Sequence, residues 1–356
     1  MAFRSKDQQF WWDTTGSLFA RLLQAAGYNT DAVWPSNWAP GGTPVESSWD
    51  FGVVGGDGAM SSMVRYTFEP IGRHPGTPHD PLNDLAADEW IHRRRPLRAA
   101  PAWLWTSIDP VVPSSNVYLY PGLRVLELDI SNLDVVERAL RSLPPDEFEA
   151  LHTEPLLEYL REATLKWEME TGIIYVRAPP NTTLAWLMDA ITLGGRTDLE
   201  EYKESVQDLK ELWKIFPGNP SPVVPADAPG RAKPGFYFTR GRGKPTSAKM
   251  YFSPGYFVKN DLEVIAKLRR FFASRRRKTN MDVVDSYARA LHDIYGQELL
   301  EKPGWGALFY VGAAMTKNEG LRVVAYQGPQ IIGARRQELG YGWMRNDGTR
   351  HFESLS

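Results

Sequence analysis

The sequence of 356 residues contains no cysteine, which excludes disulfide bonds, thiolate metal sites and cysteine nucleophiles. It has no apolar run near the ~18 residues that a membrane-spanning helix needs. The opening residues MAFRSKDQQFWWDTT lack the apolar stretch of a secretory signal peptide. Neither sign of charge dominates, since the formal net charge is -2. These absences predict a cytoplasmic protein that binds neither membranes nor nucleic acid.

The common motifs of catalytic and metal sites are also missing. Residues 241–247 (GRGKPTS) imitate a phosphate-binding loop, but Pro245 follows the lysine where a serine or threonine is required. The six histidines show no metal-ligand spacing, and no paired aspartate-rich motif could hold a magnesium–diphosphate cluster. A serine nucleophile elbow is absent as well. The sequence therefore predicts no metal site.

Aromatic residues are what the chain has in abundance. The 13 Trp, 15 Tyr and 15 Phe make up 12% of the residues. Tyr and Trp join a large apolar face to a polar tip, so they suit a pocket that must be both apolar and hydrogen-bonding. A large hydrophobic core uses the same residues, and composition does not separate these two interpretations.

Segments with helical and strand periodicity alternate along the chain. Helices are predicted near 11–28, 83–95, 133–143, 155–166, 184–193, 199–216, 261–274 and 281–300. Strands are predicted near 45–53, 63–69, 117–120, 125–130, 172–177, 235–240, 247–253, 307–314 and 321–327. Hairpins separated by helices do not make a doubly wound parallel sheet. The pattern favours an α+β fold in one domain, 1–356, with an antiparallel sheet that carries helices on one face and loses its edges if it closes.

Several short strings, in order, resemble the fungal dimethylallyl-tryptophan-synthase-type aromatic prenyltransferases. The strings lie at 11–16 (WWDTTG), 22–28, 43–49 (TPVESSW), 64–72 (VRYTFEPIG), 76–83 (GTPHDPLN), 191–196, 249–251 and 260–263. The resemblance extends from about Trp11 to Tyr326. It implies a ten-stranded antiparallel β-barrel surrounded by helices, the ABBA prenyltransferase barrel. It also implies a shortened N-terminal part, because the family normally has a helix between Val33 and Trp34.

The resemblance implies transfer of a dimethylallyl group from its diphosphate to an indole-type acceptor, with no metal needed. Glu46 would be the catalytic carboxylate that faces the indole N–H. The diphosphate ligands that the resemblance implies are Arg65, Tyr118, Tyr175, Lys249, Tyr251, Arg322 and Tyr326. The two-residue spacing of Lys249 and Tyr251 independently predicts that both lie on one face of a strand.

Each of these residues also has an ordinary structural interpretation. Without its neighbours, Glu46 is more typical of a surface or cap glutamate, and Arg65 of a solvent-facing strand residue. Each lone tyrosine fits a packed core equally well. The surrounding strings favour the functional interpretation.

The chain departs from the family pattern at four positions. Asn116 replaces a lysine, Thr171 and Ile173 fall where basic residues are expected, and Arg322 replaces a tyrosine. Up to three cations are thus missing, with Arg322 and Lys249 as partial replacements, and because charge-assisted hydrogen bonds contribute about 1.5–3 kcal/mol each, these losses would weaken donor binding. Two alternatives therefore stay open, a barrel that catalyses a cyclisation and a barrel that only binds a hydrophobic aromatic metabolite. The acceptor and the attacked ring atom depend on pocket shape.

Overall fold

The computed structural model describes residues 17–26, 42–51, 63–70, 105–108, 115–118, 129–167, 175–177, 182–217, 234–241, 244–276, 278–303, 307–317 and 320–327. The α-helices in these ranges are α1 (Ser17–Ala25), α2 (Asn132–Arg141), α3 (Pro145–Ala150), α4 (Glu154–Trp167), α5 (Leu184–Ile191), α6 (Lys203–Ile215), α7 (Asp261–Ser274) and α8 (Lys278–Glu301). The strands are β1 (Gly42–Asp50), β2 (Met63–Pro70), β3 (Trp105–Ile108), β4 (Ser115–Tyr118), β5 (Tyr175–Arg177), β6 (Gly235–Gly241), β7 (Lys244–Phe252), β8 (Leu308–Thr316) and β9 (Gly320–Gln327).

The strands form one nine-stranded sheet in the order β4-β3-β2-β1-β9-β8-β7-β6-β5. Every neighbouring pair is antiparallel. The predicted α+β fold with an antiparallel sheet is therefore confirmed. The described residues contain nine strands rather than ten, with β4 and β5 at the two ends of the order, so the closed ten-stranded barrel stays a prediction.

One face of the sheet is apolar and carries the helices. Cross-strand partners share a face, and Trp49 is paired with Val64 on β2 and Ala325 on β9. All three are fully buried and belong to one hydrophobic cluster that includes Trp213 of α6. β1 contains a bulge between Pro44 and Glu46. Because strand residues alternate between faces, positions 47 and 49 after the bulge face the helices, whereas positions 46, 48 and 50 face away.

The β8–β9 hairpin is held by buried polar side chains of the helices. Ser205 of α6 donates from Oγ to the carbonyl of Thr316 (2.9 Å) and accepts the Thr316 N–H (3.0 Å). One turn later, Asp208 accepts the Leu321 N–H at 2.9 Å. Asp261 of α7 accepts the N–H groups of Ala307 and Leu308 at the other end (2.7 and 3.1 Å). Burial raises the pKa of Asp261 despite these two hydrogen bonds.

Two strings of the family resemblance have structural roles here. At 191–196 the chain leaves α5 through consecutive left-handed residues, Leu193, Gly194 and Gly195 (φ 52, 67 and 90°), and the Gly194 N–H donates to the carbonyl of Asp189 at 2.8 Å. At 260–263, Asn260 caps α7 by accepting the Glu263 N–H at 3.0 Å. These strings therefore shape the helix ends that support the sheet.

Most predicted elements within the described residues are present, and the differences are local. Among the described strands and α-helices, two short ones were not predicted, β3 and α3. The predicted strand 125–130 is wrong at its end, because Asp129 lies in a turn with φ 50° and Ile130 is not in a strand. Residues 125–128 and the predicted helix 83–95 lie outside the described residues, and the single domain 1–356 stays a prediction. Among the described helices, none is both long and apolar enough to cross a membrane.

Candidate functional site on the polar face of the sheet

The sheet face turned away from the helices is polar and aromatic. Lys249, Tyr251 and Arg322 lie on it and are half-buried. Val324 and Tyr326 are more deeply buried, yet they do not belong to the cluster that the helices share with the opposite face. This face, called the polar face below, is therefore a second sheltered environment, separate from the helix-covered core.

By backbone register, all eight predicted site positions belong to the polar face. Backbone pairing aligns Arg65, Ser48, Tyr326 and Tyr310 across four strands. A second row joins Tyr175, Tyr237, Lys249, Ala314 and Arg322. A third row joins Glu46 to Asn116 through Thr67 and Ser107. Tyr251 is two residues from Lys249 and Tyr118 is two from Asn116, so they share this face.

Lys249, Tyr251 and Tyr326 form a contact cluster, called the lysine–tyrosine cluster below. Nζ of Lys249 donates a hydrogen bond to the Tyr326 hydroxyl, whose oxygen lies 3.5 Å from the Tyr251 hydroxyl oxygen. The same Nζ lies 4.9 Å from the centroid of the Tyr251 ring and 5.0 Å from that of Tyr326. The ammonium group is thus stabilised by two π-faces as well as by a phenol.

Small residues of β8 make room for this cluster. Gly312 is paired with Tyr251 on one side and Val324 on the other, and Ala314 is paired with Lys249 and Arg322. A Cβ atom at position 312 would lie 2.9 Å from Cε of Lys249 and 3.0 Å from Cε2 of Tyr326. The missing side chain therefore allows Lys249 of β7 to reach across β8 to Tyr326 of β9.

We expect Gly312→Ala to lower kcat/KM for the diphosphate donor that the sequence resemblance implies about tenfold or more, because catalytic geometry is sensitive to displacements near 1 Å. The added methyl group must displace Lys249 or the Tyr326 ring, whereas the apolar face is untouched. Steady-state kinetics with varied donor measures the effect, and a urea titration checks the fold. The matched control is Ala314→Gly, which changes the neighbouring position without adding an atom. Equal losses in the two variants would contradict the steric explanation.

Asp50 is a functional candidate that the sequence reasoning missed. It lies on the polar face with 4% of its surface exposed, and its Oδ2 accepts a hydrogen bond from Nε of Arg322. Asp50 follows Glu46 and Ser48 at two-residue spacing, and this alternation could have revealed it. The predicted ligand Arg322 is therefore part of an ion pair.

Tyr237 of β6 was also missed, although it is paired with Lys249. Burial raises the pKa of the Tyr237 phenol, so the hydroxyl stays protonated and able to donate through neutral pH. Its signal in the sequence is the alternation of Phe236, Tyr237 and Phe238, in which the two phenylalanines are buried in the core.

The structure does not bring every predicted residue together. Tyr118 of β4 and Tyr175 of β5 lie on strands at opposite ends of the described sheet. Only closure of the sheet would place them near each other. Thr171 and Ile173 lie outside the described residues. The contacts of the described side chains thus establish the lysine–tyrosine cluster and the Asp50–Arg322 pair.

This arrangement can stabilise charges of both signs. The ammonium of Lys249, the guanidinium of Arg322 and phenolic O–H groups can donate charge-assisted hydrogen bonds to a phosphate-type anion. The tyrosine rings that surround Lys249 Nζ can also stabilise a cation and exclude water from it. A group that leaves as an anion and a fragment left as a cation could both be accommodated on this face.

Comparison with known proteins agrees with this chemistry. The family model described as tryptophan dimethylallyltransferase matches residues 29–105 and 107–290. Prenyltransferase fogH of Aspergillus ruber is 25% identical, covering 92% of this chain and 93% of that protein. 4-O-dimethylallyl-L-tyrosine synthase of Claviceps purpurea is 26% identical, covering 86% and 79%. A 7-dimethylallyltryptophan synthase of Aspergillus fumigatus is 23% identical, covering 89% and 84%.

Solved structures show the same fold. The crystal structure of NotF in complex with brevianamide F and DMSPP has a TM-score of 0.67 at 19% identity, covering 92% of this chain and 96% of that one. AnaPT from Neosartorya fischeri has a TM-score of 0.66 at 16% identity, covering 92% and 95%. The arrangement of strands and helices is therefore shared with these proteins at low sequence identity.

Proposed function

Because this chain belongs to the tryptophan dimethylallyltransferase family, and is thus a prenyltransferase of the aromatic, secondary-metabolite type, we propose that it transfers a dimethylallyl group to an indole-type acceptor. Dimethylallyl diphosphate is the proposed donor. The observation that carries the proposal is the lysine–tyrosine cluster, in which Lys249 contacts Tyr251 and Tyr326 on the polar face. The backbone register of positions 46 and 65 with the strand that carries Tyr326 supports the proposed roles of Glu46 and Arg65.

The proposed reaction separates charge and then recombines it. The bond between the allylic carbon and the diphosphate oxygen breaks, and the diphosphate leaves with the electron pair. An indole ring carbon attacks the allylic cation to form the new carbon–carbon bond, and that ring carbon then loses its proton to a base. Lys249, Arg322 and the phenols stabilise the diphosphate, while the tyrosine faces shelter the cation. We propose that these groups need no metal ion.

The acceptor class is supported by the relatives rather than by a bound molecule. NotF was solved with brevianamide F, and a 5-dimethylallyl tryptophan synthase from Streptomyces coelicolor with tryptophan. Other relatives are named for tyrosine or for a xanthone. An indole N–H is the partner that fits the carboxylate proposed for Glu46, which makes an indole the first acceptor to test.

Closure of the sheet is part of the proposal. β4 and β5 are the two ends of the described strand order. We propose that a tenth strand pairs with both of these edges and removes them. Tyr118 and Tyr175 would then join the lysine–tyrosine cluster around one cavity.

The test is a turnover assay of the full chain with dimethylallyl diphosphate, followed by mass spectrometry and pyrophosphate detection. The panel contains tryptophan, a tryptophan-containing cyclic dipeptide, another indole, tyrosine and a xanthone, each with and without EDTA. We expect a product heavier by one dimethylallyl group from an indole, at equal rates with EDTA. Prenylation of tyrosine or the xanthone alone would refute the indole proposal. No pyrophosphate release with any acceptor would favour a barrel converted to cyclisation, in keeping with Asn116 in place of a lysine.

We expect Glu46→Gln to lower kcat/KM for the indole about tenfold or more and to leave the donor KM within twofold. Glutamine keeps the shape of the side chain and its accepting oxygen, so the loss reports the charge that polarises the indole N–H. Steady-state kinetics with each substrate varied in turn measures both effects. Glu263→Gln, which alters a carboxylate at the start of α7, is the control. An unchanged acceptor kcat/KM in Glu46→Gln would remove Glu46 from the proposed mechanism.

A further inference from the structure

Asp50 and Arg322 form an ion pair between strands that are distant in sequence. Asp50 of β1 is paired with Val324 of β9, and Arg322 is the next residue of β9 on the same face. Diagonal neighbours of this kind lie about 7–8 Å apart at Cα, within reach of a long side chain. Nε of Arg322 donates to Oδ2 of Asp50, and 34% of the Arg322 side chain is exposed against 5% of Asp50.

The location of the pair indicates more than a stabilising role. A buried ion pair contributes little net stability, because desolvation of the two charges offsets their attraction. This pair lies on the polar face rather than in the helix-covered core. Arg322, Ala314 and Lys249 follow one another across three strands, so the two cationic residues are separated by about 10 Å with only a small side chain between them.

Asp50 is also placed between two arginines. Its partner on β2 is Met63, and Arg65 is two residues further along that strand on the same face. Arg65 and Arg322 are thus the diagonal neighbours of Asp50 on its two sides. A carboxylate at this position can orient a neighbouring guanidinium group. Because that group is planar and rigid, a hydrogen bond to one of its nitrogens fixes the directions of the others.

We propose that Asp50 is a positioning residue, which holds Arg322 through Nε so that its terminal nitrogens face the diphosphate of the donor. The inference rests on the proposed function. Where the family pattern has a tyrosine, this chain has Arg322 paired with Asp50, and the net charge of the pair is zero. Arg322 then contributes directed hydrogen bonds, while Lys249 contributes the positive charge beside them.

A purely electrostatic role for Asp50 predicts the opposite result. A carboxylate repels a nearby anion, so its removal would tighten pyrophosphate binding if charge alone mattered. A positioning role predicts that binding weakens when the carboxylate is truncated. It also predicts that binding survives when asparagine keeps an oxygen that can accept from Nε.

The experiment is calorimetric titration of the full chain with inorganic pyrophosphate. We expect Asp50→Ala to raise Kd about tenfold, Asp50→Asn to stay within threefold, and the Asp50→Ala/Arg322→Met double variant to equal Arg322→Met within twofold. Arg322→Lys keeps the charge but lacks Nε, so it should bind as weakly as Arg322→Met. In turnover, Asp50→Ala should raise the donor KM while kcat stays within twofold.

Three results would overturn the inference. The first is tighter pyrophosphate binding by Asp50→Ala. The second is that adding Asp50→Ala to Arg322→Met still weakens binding tenfold. The third is that Arg322→Lys binds pyrophosphate within twofold of the unaltered chain. The last result does not depend on the folding of any Asp50 variant. If the unaltered chain itself fails to bind pyrophosphate, the proposed function fails, and the inference with it.

Discussion

Lys249→Met is expected to raise the Kd for pyrophosphate by about 10- to 100-fold and to lower kcat/KM for dimethylallyl diphosphate by a similar factor. Charge-assisted hydrogen bonds contribute about 1.5–3 kcal/mol, and each 1.4 kcal/mol corresponds to a tenfold change. Methionine has nearly the length of lysine, so it can still pack over Gly312 between the two tyrosine rings. The loss therefore reports the missing ammonium group rather than a collapsed site. Titration calorimetry and donor kinetics measure the two effects.

The matched control is Lys317→Met, in the turn that joins β8 to β9. Nζ of Lys317 lies 2.6 Å from a carboxylate oxygen of Glu201, and its side chain is 44% exposed. Both substitutions remove one positive charge, but only Lys249 lies on the polar face. We expect Lys317→Met to change Kd less than twofold. Equal effects of the two variants would mean that overall charge, and not the lysine–tyrosine cluster, binds the anion.

The sequence could predict the pieces of the site that depend on local pattern. Lys249 and Tyr251 share a face because strand residues alternate, whatever their partners are. Their contact with Tyr326 depends on the register of β7, β8 and β9 and on the space left at Gly312. The resemblance supplied Tyr326 as a candidate, but only the register explains how these residues meet.

The ion pair between Asp50 and Arg322 could not be predicted from local sequence pattern, because the two residues are 272 positions apart. Their contact requires β1, near one end of the chain, to pair with β9 near the other. No periodicity within either strand specifies that pairing. Non-local contacts of this kind are set by the overall topology, so a candidate pair emerges only when the strand order is known.

The two elements that sequence patterns missed lack the signal on which such patterns depend. β3 has four residues, WTSI, too few to show a two-residue alternation. α3 has six residues, begins at Pro145 and buries none of its side chains, so it has no apolar stripe. The longer helices and strands bury an apolar face against the core, and that burial is what periodicity detects.

Asp208→Ala is expected to lower the free energy of unfolding by about 3 kcal/mol, because it removes a fully buried carboxylate and leaves its two partners uncompensated. Asp208 is completely shielded from solvent. Its Oδ1 forms an ion pair with Nε of Arg275, and its Oδ2 accepts the Leu321 N–H at 2.9 Å. Alanine would leave the Arg275 charge without this partner and the Leu321 N–H without its acceptor. A urea titration followed by tryptophan fluorescence measures the change.

The control for Asp208 is Glu204→Gln, which alters the exposed partner of the same arginine. Oε2 of Glu204 lies 3.0 Å from Nη2 of Arg275, and its side chain is 62% exposed, so we expect a loss below about 1 kcal/mol. Since Asp208 holds the start of β9, Asp208→Ala should also weaken pyrophosphate binding, whereas Glu204→Gln should not. Equal destabilisation by the two variants would show that the surface ion pair, and not the buried aspartate, fixes the strand that carries Arg322 and Tyr326.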